Sequence, residues 1–160
     1  MFTFQIIPDT IFQEMEHIGD DDGDYRITGR IDDVVIVSGH NLGTAPIEDA
    51  INQHENVVES ALVGFPHEIK GNALYAFIIL KNNQNIDGIK SEINLLISKT
   101  IGPIAKPDKI QIVAGLPKTR SGKIMRRILR KIAAGESDSF GDTSTLLNPD
   151  IIKHIVNERS

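Results

Sequence analysis

Between Ala73 and Leu80 the chain reads Ala-Leu-Tyr-Ala-Phe-Ile-Ile-Leu, eight residues without a charge. A run of this length is far below the ~18–20 residues that span a bilayer, and its aromatic and β-branched content favours a strand. Because apolar residues occupy both parities of the run, the strand must be buried on both faces. The remaining elements therefore have to supply cover on two sides. With 160 residues there is enough chain for one domain with tails.

Several flanking segments suit that role. Tyr25–Thr28, Val34–Val37, Asn56–Phe65 and Lys109–Ala114 are rich in β-branched or aromatic residues and read as strands. Helices are predicted from Thr44, taken as N-cap, to about Gln53, and across Ile89, Ile93, Leu96, Ile97 and Ile101 up to Gly102-Pro103. A third is predicted over Gly122–Ala134, with Ile124, Ile128, Leu129 and Ile132 on one side, and a short one near Pro149–Val156. Ser38–Gly43 and Pro66–Gly71 read as a loop and a turn, and Gly135–Asp142 as a linker. The order β-β-α-β-β-α-β-α predicts an α+β domain over roughly residues 25–134.

The net charge of −5 hides an uneven distribution. Acids crowd the first 24 residues, whereas Lys118–Lys131 holds seven cations and no acid. Such a run suits either an anionic partner or a solvated basic helix face. Aromatics make up only 5% of the chain, so stacking platforms for nucleic acid are scarce and the overall charge opposes a polyanion. The absence of cysteine excludes thiolate nucleophiles, disulfides and Cys-ligated metals. No signal-peptide pattern opens the chain, so a cytoplasmic location and no membrane partner are expected.

Familiar site motifs fail. Gly115–Lys123 has six residues between its glycines where a phosphate loop needs four, and Ile124 stands where Ser or Thr belongs. The early acids lack the first and last ligands of a calcium loop, the five histidines have no zinc spacing, and neither Ser38 nor Ser121 sits in a nucleophile elbow. What remains is Leu116-Pro117-Lys118-Thr119-Arg120-Ser121-Gly122-Lys123-Ile124, which puts a lysine after a glycine on an exposed turn. An ammonium on a flexible stem suits bridging two anionic oxygens that must approach one another, such as a carboxylate attacking a phosphate. Spacing alone leaves a solvated lysine equally open.

Four ordered motifs together resemble the AMP-forming acyl-CoA synthetases: Tyr25–Asp33, Val37–His40, Gly64–His67 and Pro117–Arg127. The tail Gly141-Asp142-Thr143-Ser144-Thr145-Leu146 is similar to that of the acetyl-CoA synthetases among them. The resemblance runs from about residue 19 and concerns the small C-terminal domain of the adenylate-forming superfamily. It implies a β-hairpin plus a central mixed three-stranded sheet flanked by helices. It also implies the division 1–18 unmatched, 19–134 domain and 135–160 C-terminal extension. The family makes an acyl-adenylate from ATP and then a thioester with CoA, the small domain turning between the steps.

By resemblance Lys123 is the adenylation lysine and a target of reversible acetylation, which implies a lysine acetylase and deacetylase as partners. Arg30 holds the nucleotide, Asp32 is the hinge, and Ser38 and Gly39 line the CoA channel. Asn52, His54 and Val57 correspond to a magnesium site bound partly through backbone carbonyls. Two positions depart from the family. Asn41 replaces an arginine that contacts ATP phosphate, and Ser98 replaces one that assists CoA binding; each loss is worth roughly 1.5–3 kcal/mol of charge-assisted bonding. The large N-terminal domain and its ATP and acetate pockets have no counterpart here, nor does the strand carrying the ribose-binding Asp. A truncated product, inactive alone, is therefore expected. A stand-alone interaction module using the basic helix 122–131, or a lysine-acetylation substrate without catalysis, are the other readings.

Overall fold

The computed structural model describes residues 33–81 and 85–159 with their side chains, and the backbone of two earlier strands. Those strands, β1 (Met15–Gly19) and β2 (Tyr25–Arg30), pair antiparallel in a sheet of their own. The segment before Gly19, unmatched by the resemblance, thus contributes a strand.

The main sheet has five strands: β3 (Val34–Val37), β4 (His40–Gly43), β5 (Val57–His67), β6 (Gly71–Leu80) and β7 (Lys109–Ile112). The expected mixed three-stranded centre is β5–β6–β7, with β5 antiparallel and β7 parallel to β6. The hairpin β3–β4, however, is joined to it, because β6 outruns β7: Gly71 pairs with Val37 before Tyr75 begins pairing with Lys109. The sheet is therefore larger than expected and mostly antiparallel.

Four helices are found among the described residues: α1 (Thr44–Asn52), α2 (Ile86–Thr100), α3 (Arg126–Ala133) and α4 (Asp150–Asn157). They cover both sides of β6, following the alternation of its side chains. On one face Leu74, Ala76, Ile78 and Leu80 meet Ile47 and Ile51 of α1, Ile89, Ile93 and Ile97 of α2, and Val35 and Val37 of β3. On the other, Tyr75 and Phe77 meet Ile128, Leu129 and Ile132 of α3 and Ile151, Ile152 and Ile155 of α4. The Ala73–Ile78 stretch is 0% exposed throughout, so the two-sided burial read from its composition holds. No described helix is long and apolar enough to cross a membrane.

Three local expectations change. Ser38–Gly43 is mostly strand: Ser38 and Gly39 take φ of 50° and 81°, a two-residue turn that closes Val37 onto His40. Thr44 is not a cap. Gly43 is still paired to Val34, so the strand runs straight into α1 with Gly43 at the N-cap position and the Thr44 hydroxyl buried without a partner. Pro66 and His67 extend β5 rather than turn, leaving residues 68–70 to reverse the chain.

Candidate functional site

The predicted helix 122–134 begins only at Arg126. The residues ahead of it form a tight hairpin whose tip presents Lys123. Gly122, at φ +84°, takes a left-handed conformation that opposes helix continuation. Lys118 bridges Ile124, the Thr119 amide donates to the Lys123 carbonyl at 2.9 Å, and the Gly122 amide donates to the Thr119 carbonyl at 2.8 Å. The Thr119 hydroxyl oxygen accepts the Lys123 amide at 3.2 Å and lies 2.9 Å from the Ser121 hydroxyl. The Met125 amide donates to the Pro117 carbonyl at 2.8 Å and closes the base. Leu116, Ile124 and Met125 root the hairpin in the second core. Lys123 itself is exposed, and no ion pair engages it among the described residues.

Its neighbours are different. Lys118 pairs with Glu59 at 2.6 Å, Arg126 with Glu48 at 2.6 Å, Arg130 with Asp33 at 3.6 Å and Lys131 with Glu136 at 3.3 Å. Much of the basic run is thus met by acids of the same molecule. Glu48 is the least expected member. It lies on the apolar side of α1 between Ile47 and Ile51, where one oxygen accepts the Leu62 amide at 2.7 Å and the other meets Arg126. Burial pushes its carboxyl above the ordinary 4.5, although the Leu62 amide and Arg126 pull the other way. Asp33 lies 3.8 Å from the Arg126 Nε, so the start of β3, α1 and the root of the lysine hairpin share one charged cluster. An acid inside an apolar i, i+4 stripe was the available sign of it.

Beside this cluster opens a cleft of about 310 Å³, lined by Asp33, Thr119, Lys123, Ile124, Met125 and the arginines of α3. Among the described residues it contains cations and a hydroxyl but no aromatic ring on which a purine could stack.

The other expected site residues are distributed. Ser38, Gly39 and Asn41 come together, all exposed, on the β3–β4 hairpin. That turn is at the opposite end of β3 from Asp33, roughly 16 Å away at ~3.3 Å per residue. Ser98 is half-buried on α2, across the sheet from the core that roots the lysine hairpin. Arg30 ends β2, its backbone opposite Met15, with its side chain outside the described residues; Asp32 lies outside them altogether.

Asn52, His54 and Val57 mark the passage from α1 to β5, but their side chains do not converge on a cation. The Asn52 side-chain oxygen accepts the Ser60 hydroxyl at 2.8 Å. His54 Nε2 is 2.8 Å from Glu92 and its Nδ1 accepts the Asn56 amide at 3.2 Å. The described residues contain no group of three His, Cys, Asp or Glu able to hold a metal.

Sheet, helices and lysine hairpin together define a small α+β domain with the fold of an AMP-binding enzyme C-terminal domain. Residues 46–123 match the AMP-binding enzyme C-terminal domain, and the chain belongs to that family. It is similar to the C-terminal part of acetyl-CoA synthetases: 56% identical over 141 residues to that of Alkalilimnicola ehrlichii and 57% to that of Syntrophobacter fumaroxidans. In each case 88% of this chain and 22% of the relative are covered, so the chain spans about a fifth of the length of the proteins it matches. Among solved structures, a Brucella canis acyl-CoA synthetase superposes with a TM-score of 0.60 at 37% identity, covering 72% of this chain and 21% of that one. The anthranilate CoA ligase AuaEII in complex with anthranoyl-AMP gives 0.67 at 33%, covering 76% and 24%.

Proposed function

We propose that this chain acts as the mobile, lysine-bearing domain of an AMP-forming acetyl-CoA synthetase, turning acetate, ATP and CoA into acetyl-CoA, AMP and diphosphate. The observation that carries this reading is Lys123, held at the tip of a rooted hairpin with no competing ion pair among the described residues. In the first step a carboxylate oxygen of acetate attacks the α-phosphorus of ATP, and diphosphate leaves with the bond to its oxygen. Both partners are anionic, so an ammonium between the carboxylate and the α-phosphate lowers the repulsion as they close. In the second step the CoA thiolate attacks the acetyl carbonyl and AMP leaves. Ser38 and Gly39, far from the lysine on a separate hairpin, suit contact with CoA during that step, and a turn at Asp32 exchanges the two surfaces.

Arg30 is the proposed nucleotide contact, while Asn41 and Ser98 offer hydrogen bonds in place of two cations. Magnesium belongs in this reading with the ATP phosphates, and no step is assigned to residues 52, 54 and 57. The aromatic-free cleft argues that the adenine pocket is provided by a large adenylation domain, the required partner. Exposure of Lys123 also suits acetylation, which would remove the charge the first step needs.

The test combines the chain with the large domain of an acetyl-CoA synthetase and measures acetate-dependent ATP–diphosphate exchange. Lys123→Ala is expected to lower exchange by about 10²–10³-fold, the usual effect of removing one preorganised charge-stabilising group. Thioester formation from supplied acetyl-adenylate should be retained. Exchange unchanged by Lys123→Ala would overturn the reading.

A further inference from the structure

The lysine hairpin is bonded along both sides. One side of Lys118–Arg120 faces its own return strand; the other faces residues 145–147, which lie more than twenty residues later. Thr119 bridges Leu146, the Leu147 amide donates to the Lys118 carbonyl at 2.8 Å, and the Arg120 amide donates to the Thr145 carbonyl at 3.3 Å. The tail thus makes a two-stranded hairpin into a miniature three-stranded sheet.

Several contacts hold the tail in place. Leu146 is buried in the second core, and Phe140 packs against it. Asp142 accepts the Ser144 amide at 2.9 Å, Arg127 donates to the Asp142 carbonyl at 3.4 Å, and Lys131 donates to the Ser139 carbonyl. Beyond it, α4 is tied to the sheet through Gln111, whose amide nitrogen donates to the Ile155 carbonyl at 2.8 Å. The family match ends at Lys123, so the tail residues that make these contacts lie beyond the matched segment.

We infer that residues 142–147 are a positioning strap that fixes where the tip of the lysine hairpin stands, and hence where the Lys123 ammonium can reach. This rests on the proposed role of Lys123. A lone two-stranded hairpin is marginal in water, whereas a third strand with a buried side chain gives it a defined geometry. Geometry matters here because a displacement of about 1 Å at a reacting group costs on the order of 10²-fold in rate. The strap touches no substrate; it acts through the lysine.

Leu147→Pro removes the amide that bonds Lys118 while changing a side chain that is 68% exposed. In the full chain, the Gly122 and Met125 amides are expected to exchange roughly 3–10-fold faster, the scale of one lost hydrogen bond. The β5–β6 amides should be unchanged. With the large domain present, adenylation turnover should fall about 10-fold or more. The KM values for ATP and acetate should stay within about twofold, since the strap meets neither substrate, and thioester formation should be retained.

Asp142→Ala, at an exposed turn, serves as a second variant should Leu147→Pro not fold, with Asp142→Asn expected to rescue it by keeping the acceptor. Unchanged hairpin exchange in a folded variant overturns the inference, as does an equal fall in both half-reactions. Lys123→Ala run in parallel separates the two readings. If it abolishes adenylation while the strap variants leave it intact, only the strap inference fails; if it leaves adenylation untouched, the lysine reading fails and the strap role with it.

Discussion

Glu48 gives the sharpest test of what holds the lysine hairpin to the rest of the domain. Its side chain is 11% exposed, and its two oxygens do different work: one satisfies the Leu62 amide in the middle of β5, the other pairs with Arg126 at the start of α3. Leu62 is 0% exposed, so with Glu48→Ala its amide loses the acceptor in a place water does not reach. Leaving a buried donor unpaired costs about 1–3 kcal/mol. The Arg126 side chain, by contrast, is 25% exposed and keeps Asp33 at 3.8 Å, so losing this ion pair adds under about 1 kcal/mol. Glu48→Gln retains an oxygen for Leu62 and gives up only the charge. Urea unfolding followed by far-UV circular dichroism at pH 7 should therefore show a loss of about 1–3 kcal/mol for Ala and less than about 1 kcal/mol for Gln.

Acid sharpens the contrast. Burial is the largest influence on Glu48 and raises its carboxyl above 4.5, against the Leu62 amide and Arg126, with nearby Asp33 adding to the rise. A folded-state value above the unfolded one means that the folded protein holds the proton more tightly. The contribution of Glu48 is thus fully present below about pH 4.5 and declines as pH rises through the raised folded value. Wild type should gain on Glu48→Gln as pH is lowered from 7 toward 4.5. If Gln were as damaging as Ala at pH 7, the ion pair and not the Leu62 bond would carry the stability. If wild type instead lost ground to Gln in acid, burial would not be the governing cause.

Three further outcomes follow from other contacts. In Gly64→Ala the new Cβ would meet Val35 Cγ1 at 2.7 Å and Cγ2 at 3.0 Å, forcing β3 from β5 at a cost of about 1–3 kcal/mol; a double-mutant cycle with Val35→Ala should recover part of it. Tyr75→Phe removes the hydroxyl that donates to Gln111 at 2.8 Å and should cost about 1–3 kcal/mol in thermal or urea unfolding, with faster amide exchange in α4, which Gln111 tethers. Asp142 shows the opposite pH sign to Glu48. Hydrogen bonds from Ser144 hold its carboxyl below 3.8, so the turn contributes above about pH 3.8 and is lost as pH falls through the lowered value; the Ser144 amide shift, read by NMR, should titrate there and stay constant in Asp142→Asn.

These contacts also explain which parts of the molecule could be read from residues alone. Ala73–Leu80 was legible because a run that is apolar at both parities has one economical solution, a strand with cover on both faces, and Leu74 and Tyr75 duly point into different cores. The helix stripes Ile89/Ile93/Ile97 and Ile128/Leu129/Ile132 were legible for the same reason. β4 was not, since His40-Asn41-Leu42-Gly43 has little intrinsic strand preference; two positive φ angles at Ser38 and Gly39 fold it onto β3 and pairing does the rest. Lys123 was singled out by the resemblance, since spacing alone left a solvated lysine open, and its setting was misjudged. The apolar period running from Ile124 to Ile132 looks helical throughout, and only a positive φ at Gly122 and a distant partner at Leu146 make its first residues a hairpin. Those pairings use main-chain amides and carbonyls, which every residue carries, so they leave almost no side-chain signature apart from buried Leu146. A motif can therefore point to a side chain while remaining silent about the backbone that aims it. In this chain the aim is set from residues beyond the matched family segment, which is why perturbing exposed Leu147 tests the lysine's placement without touching the lysine.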